Sequence, residues 1–141
     1  MNPPGANSLR LGYAGLLPFV LGAVLLWVVR ADAHPYVAIA LSAYAGVIVS
    51  FLGGIHWGLG FRARSPEPAR FVWGVIPSLV AWIAIVMPPY AGLVVHGVML
   101  VVFYLVDRRV YPAHGLDAWL TLRFRLTAVA STSCFLGAAA S

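Results

Sequence analysis

The chain has 141 residues, 62% of them hydrophobic and 9% charged, with a net charge of +5. Soluble domains carry about 25% charged and about 45–50% apolar residues, so a water-soluble globule is set aside in favour of an integral membrane protein. All nine basic residues are arginine and sit in short gaps between apolar runs, which points to anionic lipid and argues against nucleic acid.

In chain order, Arg10 precedes a first apolar run at 11–29 that contains Pro18. The run is longer than a signal-peptide core and is read as an uncleaved helix, despite the small-x-small pattern at 31–33. Asp32 and His34 lie in the gap before a second run at 36–61. The basic loop "RARSPEPAR" fills 62–70, and a third run at 71–87 carries Pro77 and stops at Pro88 and Pro89. A fourth run covers 90–106, a polar stretch "DRRVYPAHGLD" covers 107–117, and "AWLTLRFR" leads into the last run, 126–140. A spanning helix needs about 20 residues, within a range of about 17–25. Four runs meet that alone, and the fifth does so by taking in Arg123 and Arg125 near its start, where their side chains reach the headgroups. The reading is a single all-α membrane domain, a polytopic helical bundle of about five transmembrane helices near 9–30, 36–61, 70–88, 90–107 and 118–140. The runner-up has four spans and a C-terminal re-entrant or surface segment. Each internal proline removes a hydrogen bond to the carbonyl four residues back, at Ala14 and Trp73.

Five spans place eight arginines on one side of the bilayer and only Arg30 on the other. The positive-inside rule then puts the N-terminus in the cytoplasm. The one cysteine, Cys134, permits no intrachain disulfide and reads as a small packing residue.

The second run holds small residues spaced by four: Ala38, Ser42, Gly46, Ser50, Gly54 and Gly58. Positions i and i+4 share a helix face, so this reads as a packing stripe, because close backbone approach drives helix association in lipid. His56 points away from it, between gaps in side-chain volume at Gly53 and Gly60. A titratable ring inside a span is a functional-site hypothesis; the bland alternative is a neutral ring bonded to a neighbouring helix. Only four acids exist, and Asp107 ends the fourth run on the side of His56, so the two can pair. Arg123 or Arg125 can complete a polar cluster, although Asp107, Arg108 and Arg109 also read as a plain solvated helix end. His56 and His96 stand too far apart along the bilayer normal to share a haem. No haem-attachment, zincin or phosphate-loop motif is present, so no cofactor, metal or catalytic residue is assigned.

The stretch "YAGVIVSFLGGIHWG", residues 44–58, resembles the signature of a family of small inner-membrane proteins, domain of unknown function 3429. Pro18–Phe19, "IPSLVAW" at 76–82, Asp107–Arg108 and "AWLTLRFRLTAV" at 118–129 fit the same family in the same order. The resemblance covers nearly the whole chain. It implies a multi-pass protein of the bacterial or mitochondrial inner membrane, without an established activity. It also implies that His56, Trp57, Asp107, Trp119 and Arg123 occupy motif positions, and leaves His96 and Cys134 outside them.

Two readings of function stand. The leading one is a non-enzymatic accessory or assembly component that docks through the stripe on a membrane-protein partner or a second copy of itself. The alternative is a small transporter or binder of a lipophilic, quinone-like ligand in a pocket near His56. A redox-cofactor subunit is a weaker third.

Overall fold

The computed structural model describes residues 3–65 and 67–141. Residues 1 and 2 of the expected domain and residue 66 of the expected basic loop lie outside them. The described residues form helices α1 (Ala6–Ala14), α2 (Leu17–Val28), α3 (His34–Arg62), α4 (Pro68–Val86), α5 (Pro89–Ala113) and α6 (Leu120–Ala140), with a 3-10 turn over Asp117–Trp119 and no strand. Pro35, Pro68 and Pro89 open α3, α4 and α5 in the first turn, where a missing N–H costs nothing.

Among the described residues four segments are long and apolar enough to cross a membrane: Ala6–Val28, His34–Arg62, Pro68–Val86 and Pro89–Ala113. Helix α6, at 21 residues, is long enough but more polar. It nevertheless packs along α5 and α2. His34, at the start of α3, donates from Nε2 to the Ala140 carbonyl at 2.7 Å, so α6 runs to the end of the bundle opposite its own start. The chain therefore traverses this polytopic helical bundle five times. Large apolar side chains such as Leu21, Trp27, Phe51, Trp82 and Val86 lie exposed on its outside, as a lipid-facing surface requires.

The first traverse is two helices rather than one. The break falls at Gly15–Leu16, just before Pro18, which has no N–H to give back to Ala14. Tyr44 of α3 donates its hydroxyl to the Gly15 carbonyl at 2.6 Å. A neighbouring helix thus satisfies a carbonyl that water cannot reach.

Helix α3 is central and touches α2, α4, α5 and α6. Its packing face is not the expected straight stripe. Ala38, Ser42 and Gly46 are buried and Ser50 is half-buried, but Gly54 and Gly58 are exposed. A Cβ at Gly54 or Gly58 would meet nothing within 4 Å. Four residues turn a helix by about 400°, so a strict i+4 row drifts by about 40° per step and by about 200° from residue 38 to residue 58. The buried face instead continues through Val49, Gly53, His56 and Gly60, where steps of three and four alternate and cancel the drift. Gly54 and Gly58 therefore lie outside the face that packs within the chain.

The gaps expected beside His56 are filled. A Cβ at Gly53 would strike the Gly74 carbonyl of α4, and one at Gly74 would come within 2.9 Å of the Gly53 carbonyl. Pro77 also packs on Gly53, and Phe71 covers Gly60 at 2.5 Å from its would-be Cβ. These two glycines let α3 and α4 approach each other; they do not hold space for a ligand.

Candidate functional site

Helix α5 continues six residues past the expected end at 107, so Asp107 is not a solvated terminus. It is fully buried, at 0% exposure, facing α3 and α6. His56 Nε2 donates to Asp107 Oδ1 at 2.7 Å, and Arg123 Nη2 donates to Oδ2 at 2.8 Å. Arg123 Nη1 also donates to the Thr127 hydroxyl, one turn on, at 3.0 Å. Three helices thus bring one carboxylate, one guanidinium and one imidazole together away from solvent.

The arrangement follows from the cost of burying charge. An unpaired carboxylate or guanidinium in a low-dielectric interior costs several kcal/mol, by order of magnitude. Here Asp107 and Arg123 neutralise each other, and both carboxylate oxygens have a donor. Tyr111 follows Asp107 by one turn of α5, so it lies on the same face, and it is buried.

Trp57 is not in this cluster. Its Nε1 donates to the Phe71 carbonyl of α4 at 3.0 Å, and its ring meets that of Phe71 edge to face at 5.0 Å. Arg125 is also outside; it reaches the Tyr13 hydroxyl of α1 at 3.2 Å near the surface. His96 is buried beside Gly46, ten residues from the level of His56, or about 15 Å along α3. Among the described residues neither ring nitrogen of His96 has a partner. Among the described residues no group of three His, Cys, Asp or Glu side chains has the makings of a metal site.

Beside the cluster lies a cavity of about 550 Å³ between α1–α2, α3, α5 and α6. Phe19, Leu126 and Ala130 line its deeper part, and Tyr111, Trp119 and Arg123 line it towards the arginine-rich end. Among the described residues Arg123 is its one charged wall residue, and its volume falls in the range of small-molecule sites, about 300–1,000 Å³. His56 does not line it; Arg123 links the two by bonding Asp107 from the cavity wall. Helix α1 packs mainly on α6, and the exposed Leu11 of α1 and Phe51 of α3 both border the cavity, so it opens sideways between these helices.

The cavity escaped sequence reasoning because its lining comes from five separate segments. One signal was present: Arg123 and Thr127 are spaced by four and share a face of the last helix, and Trp119 stands four residues before them at its start. All three line the cavity.

Fold and cluster together define a multi-pass helical membrane protein with a buried, hydrogen-bonded ion pair and an adjoining apolar cavity. The family described as protein of unknown function DUF3429 matches residues 5–139, and the chain belongs to that family. It is 38% identical over 133 residues to transmembrane protein 69 of Xenopus tropicalis, covering 87% of this chain and 50% of that protein. It is 33% identical over 81 residues to transmembrane protein 69 of Mus musculus, covering 55% of this chain and 33% of that one. The chain thus spans half or less of the length of these curated relatives. No solved structure matches.

Proposed function

We propose that the protein binds a lipophilic molecule in the membrane, with the apolar part of the ligand in the cavity and its polar end near Arg123. One observation carries this reading: a cavity of about 550 Å³ with a single charged wall residue, itself held in place by Asp107 and Thr127. Pre-formed apolar space with a few convergent polar groups is the usual form of a small-molecule site. The cavity borders exposed apolar side chains, so a ligand dissolved in the bilayer reaches it without crossing water. The site moves from the space beside Gly53 and Gly60 to the opposite flank of the cluster. The host bilayer is the bacterial cytoplasmic membrane, or the mitochondrial inner membrane in a eukaryote. The arginine-rich end faces the cytoplasm or matrix, a reading supported by eight arginines against one.

The test is mass spectrometry of lipids that co-purify with the wild type and with Ala130→Trp, which fills the cavity. A lipophile enriched with the wild type and absent from the variant is expected. Identical lipid profiles from the two proteins count against the reading.

A second reading, an accessory component that docks on a membrane partner or on its own copy, is favoured by Gly54 and Gly58. Both lie open on the outer face of α3 beside exposed Phe51 and Phe61. Crosslinking in native membranes from a photoreactive residue at Val47, exposed on the same helix, tests it; reaction with lipid alone removes its support.

A further inference from the structure

Resting on the cavity reading above, we infer that α1 is a lid: it swings about Gly15–Leu16 and so widens and closes the gap between itself and α3 through which the ligand passes to and from the bilayer. Ser8, Leu11 and Gly12 of α1 belong to the cavity wall. The two halves of the first traverse are held very differently. Helix α2 buries Phe19, Ala23 and Leu26, and a Cβ at its Gly22 would come within 2.9 Å of Leu41 on α3. Helix α1 buries no residue. It rests on α6 through Gly12, whose would-be Cβ stands 3.5 Å from Leu122 and 3.7 Å from Leu126. That is ordinary contact, unlike the interlocking of Gly53 with the Gly74 carbonyl. Close packing is what holds helices together in lipid, so α1 gains little by staying in place.

The pivot is built into the backbone. At the break the Leu16 N–H bonds the Tyr13 carbonyl at 3.0 Å, three residues back rather than four. Pro18 has no N–H for Ala14, so the hydrogen-bond ladder of α1 does not run on into α2. Tyr44 ties the Gly15 carbonyl to α3 at 2.6 Å, which fixes the pivot and leaves α1 beyond it to turn. A latch joins α1 to α6: Arg125 Nη1 donates to the Tyr13 hydroxyl at 3.2 Å on the exposed surface. A bond at the long end of the range, open to solvent, breaks and re-forms readily. A few backbone positions that absorb the rotation and a light closing contact are what hinge motion requires.

The experiment uses the whole chain in dodecyl maltoside, loaded with methyl parinarate, a fluorescent polyene ester excited through the protein's tryptophans. The variant Gly12→Cys/Leu126→Cys is loaded first and then bridged with a short bis-methanethiosulfonate, which pins α1 to α6. Cys134 is 0% exposed and stays out of the reagent's reach. Release is timed after addition of excess methyl oleate, before and after a reductant cuts the bridge. The bridged protein is expected to release the ester about tenfold more slowly than the cut one, because the lid is the way out. Tyr13→Phe, whose site lies outside the cavity wall, is expected to speed uptake and release alike by about threefold and leave affinity unchanged, the effect of one exposed hydrogen bond lost from the closed state. Equal release from bridged and cut protein overturns the inference while the cavity reading stands. If methyl parinarate does not bind, or binds Ala130→Trp as well as the wild type, the cavity reading fails and the lid goes with it.

Discussion

Asp107 of α5 and Arg123 of α6 meet at 2.8 Å with 0% and 8% of their side chains exposed, so each depends on the other for its charge to be tolerated. Asp107→Asn is expected to cost about 3–5 kcal/mol, because it leaves the guanidinium buried without a counter-charge. The double variant Asp107→Leu/Arg123→Leu is expected to be more stable than either single variant, since a pair removed together strands no charge, although His56 loses its acceptor. Thermal unfolding in detergent checks both, and a double variant less stable than both singles would contradict the account.

Two adjacent glycines on α3 give opposite predictions. Gly53→Ala drives a methyl group into the Gly74 carbonyl, and displaced backbone puts the cost at about 1–3 kcal/mol. Gly54→Ala meets open space and is expected to leave stability unchanged or raise it by up to about 1 kcal/mol through helix propensity. Melting curves of the two variants, measured side by side, separate packing from propensity. A loss of crosslinked partner in Gly54→Ala without loss of stability would favour the docking reading.

Tyr44→Phe removes the hydroxyl that caps Gly15 at the break in the first traverse. The stranded carbonyl predicts a loss of about 1–3 kcal/mol. Hydrogen exchange is expected to rise around residues 15–20 and to stay constant in α4, which lies elsewhere in the bundle.

His114 caps the end of α5 outside the membrane-crossing stretch. Burial first, and then the positive charge of Arg70, holds its pKa below the ordinary histidine value. Below about pH 6.5, the unfolded value, the unfolded chain binds more protons than the folded one until the folded pKa is passed. Stability is therefore expected to fall as pH drops through that window, and His114→Gln is expected to flatten the fall. Unfolding midpoints measured across the window in both proteins provide the check.

Much of this architecture was readable from residue order. Uncharged runs of membrane-crossing length, the prolines between them and the arginine asymmetry gave the traverses and their alternation. The His56–Asp107–Arg123 meeting was foreseeable because so few acids exist and both partners could be placed at one end by counting helical rise. The break before Pro18 was half legible: the missing hydrogen bond was evident, but not that Tyr44 would cap the next carbonyl.

What the sequence by itself determined is therefore the lipid-dissolved helical class, the order of its crossings and the scarcity of charge that makes any buried acid seek a base. Only the tertiary structure decided which faces meet. The four-residue period of the small side chains differs from the helical repeat by about 40° per step, so the row that looks continuous in one dimension winds from the interior into lipid. A cavity is likewise a property of gaps between helices, since each of its walls is an ordinary apolar face until the others stand opposite it.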